Sequence, residues 1–366
     1  MPESIGESAS RILKAVPVKI EWHAGLSIFA SELFLKAVGD EYGWLGGFNE
    51  SGELRCVLPF TIIRKVAFRL VRFRVETIPI GVEIGIQEEK SFLNSTIDHF
   101  RSIGVDMIIP ATTNTIFRTY PDGAIAAPYG SLAIDLSQPE DALWNNIHSK
   151  HRNVIRSAIK QGVQIAVGME HLHTAFQLVR DTLRRSDLPF MRYGDFQQMI
   201  LALGNNVEIM VAEHRGAPQG CAVIPFSYHA AYYVYGGTAA EKVNGAINLL
   251  QWEAIKLFRK RGVKFYDLVG VRINPENGSK QEGLFRFKQR FGGRLIQGFM
   301  WKYSFRPIGV AAYSIAMRLF RGGDIVDQER HKLADAQAPH RMLRDDKPVT
   351  VAGLKECGRH SDGSQR

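Results

Sequence analysis

The 366-residue chain contains little cysteine and shows no metal-binding spacing. Its three cysteines, Cys56, Cys221 and Cys357, are far apart, and no two of them form a CxxC pair. This spacing excludes a disulfide framework and gives no indication of a zinc cluster. The sequence also lacks a Ser–His–Asp ordering and any grouping of histidines with a third metal ligand nearby. We therefore expect no metal site and a reducing compartment.

Long apolar runs are also absent. The first residues have no apolar core typical of a signal peptide, and no stretch reaches the roughly 18 to 20 apolar residues of a membrane-spanning helix. The nearest stretch, residues 307–320, includes Arg318 and is a candidate for an amphipathic helix on a membrane surface. We expect a cytoplasmic protein. Peripheral contact with the inner face of the membrane through residues 306–320 stays open.

The formal net charge is +9. A basic balance favours anionic partners, namely nucleic acid, phosphorylated substrates or lipid headgroups. It does not choose among them, and a solvated basic surface without a partner explains the charge as well.

The order of apolar runs predicts an α/β (α+β) protein with two units, each a mixed and mostly antiparallel sheet flanked by helices. Two hairpin-like stretches, 44–60 and 210–226, both end in Pro-Phe and suggest a repeated unit. We predict a single helix over Glu140–Ser157, a loop over Pro121–Gly130 and little structure after Gly322. The predicted division is a flexible start (1–15), a first unit (16–135), a second unit (136–305), and an amphipathic helix with a disordered basic tail (306–366).

A run of basic residues opens the second unit. Lys150, Arg152, Arg156 and Lys160 lie within about three helical turns, and the two arginines are four residues apart on one face. Arginine offers paired donors to phosphate oxygens, so this face is a candidate phosphate site. A solvated helix surface explains the run equally well.

A strand, a glycine-bearing loop and a helix follow each other at residues 232–252. Such a loop places backbone N–H groups and the positive end of a helix dipole beside a sheet edge, where an anion or a developing oxyanion is stabilised. The signature by which many acyltransferases hold the diphosphate of CoA is incomplete, because Val243–Ala246 keeps one glycine and lacks the arginine. The candidate binding residues of this loop are Gly236, Gly237, Asn244 and Gly245.

The most specific string is Gly-Leu-Phe-Arg-Phe-Lys-x-x-Phe-Gly-Gly at residues 283–293. Its alternation of aromatic and basic residues is typical of cation–π contacts, or of an amphipathic helix whose aromatic residues are core. Together with the basic run, Tyr-x-Tyr-Gly-Gly-Thr at 233–238, Leu-Leu-Gln-Trp-Glu-Ala-Ile at 249–255 and Tyr-Asp-Leu-Val-Gly at 266–270, it resembles the Fem aminoacyltransferases of the GCN5-related (GNAT) superfamily. The resemblance covers residues 136–305 and includes the BioF2-like acetyltransferase domain.

The resemblance implies two tandem GNAT-like units and an ester-to-amide transfer. Fem enzymes move an amino acid from aminoacyl-tRNA to an amine of a peptidoglycan precursor that carries a diphosphate. The lysine of Phe287-Lys288 then stabilises the tetrahedral oxyanion, and Tyr235 matches a family tyrosine near the acceptor cleft. We therefore assign Lys288, Phe287 and Tyr235 to catalysis. The further residues that the resemblance places in substrate binding are Lys36, Arg192, Tyr193, Asp267 and Arg286.

Three hypotheses for function remain open at this stage. The first is FemABX-like aminoacyl transfer to a cell-envelope precursor, with tRNA as a partner. The second is an acyl-CoA-dependent N-acyltransferase acting on an amino sugar or an envelope polysaccharide precursor. The third is a non-catalytic member that binds RNA or a membrane. All three hypotheses predict no tightly bound cofactor and no DNA partner. The first predicts aminoacyl-tRNA as co-substrate, and the second predicts acyl-CoA.

Overall fold

The computed structural model describes residues 12–65, 68–306 and 324–337. The N-terminal part contains strands β1–β6 and helices α1 and α2: β1 Lys14–Val18, α1 Glu32–Val38, β2 Glu41–Phe48, β3 Leu54–Lys65, β4 Phe68–Phe73, β5 Ile78–Pro79, α2 Ile86–Ser102 and β6 Met107–Ile108.

The C-terminal part contains strands β7–β14 and helices α3–α9. Their bounds are β7 Ile125–Asp135, α3 Glu140–Asn146, α4 Ser149–Lys160, β8 Gln164–Val167, α5 Leu172–Arg184, α6 Tyr193–Leu201, β9 Val207–His214, β10 Ala217–Pro225, β11 Ala230–Tyr232, β12 Tyr235–Thr238, α7 Ala246–Lys260, β13 Phe265–Asp267, α8 Lys280–Gln289, β14 Arg294–Ser304 and α9 Ile325–Gln337.

The strands form two sheets. The larger, ten-stranded sheet has the order β1-β2-β3-β4-β6-β14-β7-β13-β11, with β5 paired to β3. The smaller sheet has the order β12-β10-β9-β8. Most pairs are antiparallel, and β4–β6 and β11–β13 are parallel. This is the mixed, mostly antiparallel architecture predicted from the sequence.

Strand β14 joins the two parts of the chain. It pairs with β7 over Arg294–Lys302, and its last two residues, Tyr303 and Ser304, pair with β6. The larger sheet therefore runs across the predicted boundary between residues 135 and 136. The division into two units stays a prediction.

Three apolar cores hold the sheets and helices together. The first lies between the N-terminal strands and α2 and contains Phe92 and Phe100. The second surrounds α7 and contains Phe258. The third joins the two parts of the chain, where the rings of Phe29 and Tyr232 lie 4.9 Å apart. Burial of each such large side chain stabilises the folded protein by about 1.5–3 kcal/mol. The third core therefore holds the two parts of the chain in a fixed relative position.

The prediction of one helix over Glu140–Ser157 is wrong, because the backbone is extended at Ile147 and His148 between α3 and α4. Ile147 is buried, and the Nδ1 atom of His148 accepts a hydrogen bond from the Lys150 N–H at 3.2 Å. The apolar contact and the cap together start a new helix. The helical spacing of apolar residues continues across this break, so the break is not visible in the sequence.

Two further stretches also differ from the sequence predictions. β7 begins at Ile125, inside the predicted loop Pro121–Gly130, because nine of its residues pair with β14. Residues 325–337 form α9 rather than a structureless tail. Val326 of this helix is buried, and Lys302 donates to Asp324 and Asp327 at 2.7 Å each, so distant partners order a segment that is polar in sequence. The predicted helix at 307–320 and the tail from residue 338 lie outside the described residues.

Candidate functional site

A cleft of about 1040 Å³ opens between the two parts of the chain. One wall is formed by β4 and the segment 107–114, and the opposite wall by the region from the end of α5 to α6. Tyr235, the start of α9 and the rings of Phe29 and Phe34 also line the cleft. Elements distant in sequence thus enclose a space large enough for a drug-sized ligand.

Lys288 is buried on α8, with 5 % of its surface exposed. Its Nζ atom donates to the carbonyl oxygens of Val269 and Gly270, both at 2.9 Å. Burial lowers the pKa of Lys288 to about 8, and the negative charge of Asp267 partly offsets this. An ammonium has three N–H donors, so these two bonds leave one for another acceptor.

Asp267 supports the turn that receives Lys288. The carboxylate accepts hydrogen bonds from the Ser131 hydroxyl and from the Val269 N–H, the latter at 2.7 Å. Val269 has a left-handed φ of 49°, which is unfavourable for a β-branched residue. The bond from its N–H helps to hold this conformation and turns its carbonyl toward Lys288. Burial raises the pKa of Asp267 to about 6.

A chain of hydrogen bonds connects Lys288 to the cleft. The Gly270 carbonyl accepts from Lys288, and the Gly270 N–H donates to the Thr113 carbonyl at 3.0 Å. Thr113 lines the cleft, whereas Lys288 does not. A side chain at Gly270 would meet the Thr113 carbonyl and Tyr129, so glycine permits this close approach.

Phe287 has a structural position next to Lys288. Its ring lies 5.3 Å from the ring of His151 and 5.3 Å from that of Phe291. The carbonyl of Phe287 is 3.0 Å from Nε2 of His151. The contact satisfies a carbonyl at the end of α8 that would otherwise lack a helical partner. His151, which we did not assign to the site, therefore holds the turn that carries Lys288.

Tyr235 lines the cleft at the start of β12. Its hydroxyl is 3.8 Å from the sulfur of Met199, and its ring packs on Phe190 and Phe196. Burial raises the pKa of Tyr235, and the nearby Arg74 and Arg72 counteract this shift. Tyr235 thus brings a neutral hydroxyl to a basic part of the cleft.

The predicted basic run on α4 does not reach the cleft. Lys150 and Arg156 are exposed, and the Arg156 guanidinium lies 5.3 Å from the centre of the Trp144 ring. Arg152 donates to the carbonyls of Asn145 and Ile147, both at 2.8 Å. These two bonds satisfy carbonyl groups at the end of α3, so Arg152 has a structural role.

Other predicted binding residues also lie away from the cleft lining. Arg192 is exposed and forms a two-bond ion pair with Asp195, at 3.0 and 3.1 Å. The ring of Tyr193 packs on His173 and Phe176. The remaining exposed residues of the predicted set are Lys36 on α1, Asn244 before α7, and Arg286, which pairs with Glu282 on α8.

The predicted glycines serve close packing. A side chain at Gly236 would overlap Tyr233, and one at Gly237 would overlap the backbone of Leu178 on α5. Gly245 has a left-handed φ of 87°, and a side chain there would overlap the backbone of Val154 on α4. The first turn of α7 is therefore covered by α4.

The basic wall at the end of β4 was not predicted from the sequence. Arg72 and Arg74 both line the cleft, and the half-buried Glu76 continues the alternation. Burial raises the pKa of Glu76 to about 7. The signal was present as charged residues at every second position from Arg72 to Glu76, at the end of β4 and in the bend that follows it. The apolar residues between them were interpreted as core positions of a strand instead.

Within the described ranges, no group of three His, Cys, Asp or Glu side chains is placed to hold a metal ion. No helix among those residues has the length and apolar character needed to cross a bilayer.

The family comparison bears on the segment that carries Lys288. The model of the FemAB family matches residues 221–314. The matched residues run from within β10 to beyond β14 and include α8, and the resemblance to the Fem enzymes seen in the sequence is confirmed.

A comparison with individual proteins agrees with this match. Lipid II:glycine glycyltransferase of Staphylococcus haemolyticus (strain JCSC1435) is 27 % identical over 130 residues, which are 35 % of this chain and 28 % of that enzyme. The match thus spans less than a third of that relative.

Solved structures extend the comparison to most of the chain. The crystal structure of FemX is 16 % identical, covers 79 % of this chain and 93 % of its own, and has a TM-score of 0.57. A tandem GNAT protein from the clavulanic acid biosynthesis pathway covers 80 % of this chain and 98 % of its own, at 10 % identity and a TM-score of 0.44. The FemX match shows a shared fold. The predicted α/β class, with mixed sheets flanked by helices, is confirmed.

Proposed function

We propose that the protein is an aminoacyltransferase that moves an amino acid from aminoacyl-tRNA to an amine of a peptidoglycan precursor. The observation that carries this proposal is the position of Lys288. Its ammonium is fixed by two carbonyl groups and has one N–H left for a further acceptor. One of these carbonyls belongs to Gly270, whose N–H donates to Thr113 in the cleft wall. A fixed cation in a dry site is suited to stabilising a developing oxyanion.

In the proposed reaction the acceptor amine attacks the ester carbonyl of the aminoacyl group. A C–N bond forms, and the carbonyl oxygen becomes an oxyanion that the positive charge of Lys288 stabilises from behind the cleft wall. Collapse of this intermediate breaks the ester C–O bond and releases the tRNA hydroxyl, which takes a proton, while the attacking nitrogen loses one. Removing one donor at such sites typically slows the reaction by about 10² to 10³-fold.

The start of α7 supports tRNA rather than CoA as the donor. Helix N-termini bind diphosphates through free N–H groups that face an open space. Here the backbone of Val154 on α4 lies against Gly245, so this space is filled. The exposed basic residues of α4 are suited instead to the backbone of an RNA.

The cleft supports a large acceptor. About 1040 Å³ is lined by both parts of the chain, with basic residues on one wall and apolar residues such as Leu188 and Met199 on the other. Mixed walls of this kind suit a precursor with charged and apolar groups.

A transfer assay with two donors tests the proposed function. The purified protein is incubated with a uridine-diphosphate muropeptide and either labelled aminoacyl-tRNA or labelled acetyl-CoA. We expect label in the amide product only with aminoacyl-tRNA, and loss of the product when the tRNA is deacylated beforehand. Amide formation with acetyl-CoA alone would contradict the proposed donor.

A further inference from the structure

The short turn that follows β13 is anchored at both ends. The Leu268 N–H donates to the Leu132 carbonyl of β7 at 2.8 Å, and the Gly270 N–H donates to the Thr113 carbonyl at 3.0 Å. These two bonds tie the turn to both parts of the chain. The N–H of the middle residue, Val269, is bonded by a side chain instead.

Val269 needs this support because of its backbone conformation. Its left-handed φ of 49° is unfavourable for a β-branched residue. The Asp267 carboxylate accepts from its N–H at 2.7 Å, and in this conformation the Val269 carbonyl accepts from Nζ of Lys288 at 2.9 Å. The carboxylate of Asp267 therefore reaches Lys288 through Val269.

Asp267 is itself held on both sides. It is the last residue of β13, where it pairs with Ala133 of β7 and with Tyr232 of β11. Its carboxylate accepts from the hydroxyl of the buried Ser131. Because backbone and side chain are both fixed, the carboxylate stays next to the Val269 N–H. Asp267 is not among the residues that line the cleft, so groups of the protein, rather than a substrate, surround it.

The charge of Asp267 also acts on Lys288. Burial lowers the pKa of Lys288 to about 8, and the negative charge of Asp267 counteracts this shift. Three other ionisable groups face Asp267, namely Glu76, Tyr232 and Tyr266. Burial and, after it, the charge of Asp267 raise the pKa values of all three. None of them is a cation, so Lys288 is the group whose charge Asp267 favours.

We propose that Asp267 is a positioning residue for Lys288 and that Ser131 holds it in place. Its hydrogen bond fixes the Val269 carbonyl as an acceptor, and its negative charge favours the ammonium. The sequence resemblance implied a contact between Asp267 and substrate, whereas the proposal gives it a role within the protein. The consequence for catalysis rests on the proposed function, but the two effects on Lys288 do not.

Three variants separate the hydrogen bond from the charge. Asp267→Asn keeps an oxygen for the Val269 N–H and removes the charge. Asp267→Ala removes both. The double variant Asp267→Ala/Val269→Gly also lacks both, but glycine adopts the left-handed conformation without support, so the carbonyl keeps its position.

NMR measures the pKa of Lys288 from its ¹³Cε resonance in lysine-labelled protein, and the loss of that resonance in Lys288→Met assigns it. We expect about 8 in the wild type, a fall of about one pH unit in Asp267→Asn, and a larger fall in Asp267→Ala. The double variant should return to the Asp267→Asn value. Asp267→Asn keeps the test valid where Asp267→Ala impairs folding, which circular dichroism detects.

Asp135→Asn is the matched control. Asp135 also accepts from the N–H two residues later, that of Ser137, at 2.9 Å. It is exposed, however, and pairs with Phe265 at the other end of β13. We expect this variant to leave the pKa of Lys288 unchanged. The same pKa in Asp267→Asn as in the wild type, or an equal fall in Asp135→Asn, would overturn the proposal.

Transfer assays separate this proposal from the proposed function. With aminoacyl-tRNA as donor at neutral pH, we expect kcat to fall about tenfold in Asp267→Ala and to recover in part when Val269→Gly is added. In Asp267→Asn the alkaline loss of kcat should begin at a lower pH than in the wild type. A constant kcat with a shifted pKa of Lys288 would contradict the catalytic role of Lys288 and leave the positioning by Asp267 intact.

Discussion

The protonation state of Lys288 links its surroundings to its proposed role. Two carbonyl oxygens and the nearby Asp267 favour the ammonium, but burial outweighs them and lowers the pKa to about 8. Near neutral pH most of the molecules keep the cation that an oxyanion requires. The same site would hold a neutral amine in more alkaline solution.

The pH dependence of turnover follows from this pKa. The folded pKa of about 8 lies below the ordinary value of 10.5, so Lys288 loses its proton, and with it the cation, as the pH rises through about 8. We predict that kcat measured at saturating substrate falls by roughly tenfold for each further pH unit above this point. A kcat that instead rises from pH 8 to pH 9.5 would indicate that Lys288 acts as a base.

Individual residues differ in how much of their structural surroundings the sequence predicted. Lys288 stands in a specific string, and that string led to its assignment before its bonds were known. Arg152 and Arg192 looked like phosphate ligands, but they contact carbonyl groups of α3 and the carboxylate of Asp195, respectively. Sequence spacing shows that charges share a face and does not show which partner already satisfies them.

At the scale of elements, β12 packs directly on α5. Gly237 lies in β12 opposite Cys221 of β10, and the backbone of Leu178 occupies the space where its side chain would be. The pattern of two adjacent glycines was interpreted as an anion-binding loop. The structure gives it a packing role, because only a residue without Cβ allows the strand and the helix to approach this closely.

A pair of glycine substitutions tests that packing role. We predict that Gly237→Ala lowers the free energy of unfolding by about 1–3 kcal/mol, because its methyl group overlaps the α5 backbone. The matched control is Gly194→Ala in α6, where nothing lies within 4 Å of the added Cβ. We expect this control to raise stability by roughly 0.5–1 kcal/mol. Urea denaturation measures both, and equal effects would argue against tight packing at Gly237.

Elements that depend on distant partners were the hardest to predict. The segment 325–337 is polar, yet Lys302 and the buried Val326 order it as α9 beside the cleft. Lys302 itself stands in β14, more than 20 residues away. The strand, glycine-bearing loop and helix predicted at residues 232–252 are present as β12 and the first part of α7.

At the scale of the whole molecule, the cleft exists only because both parts of the chain contribute to it. β14 pairs with β6 as well as β7, and the core around Phe29 and Tyr232 holds the two parts together. The sequence resemblance covered residues 136–305 and therefore described one wall of the cleft. The opposite wall, with Arg72 and Arg74, follows from the topology of the sheet.

The central claim is that the cation of Lys288 stabilises the oxyanion formed at the reacting carbonyl. It is tested most directly by the rate of amide formation from aminoacyl-tRNA in Lys288→Met, compared with Lys260→Met, which removes an exposed lysine on α7. We predict that kcat falls at least tenfold in Lys288→Met and is unchanged in Lys260→Met, with both proteins folded by circular dichroism. Wild-type turnover in a folded Lys288→Met variant would contradict the account.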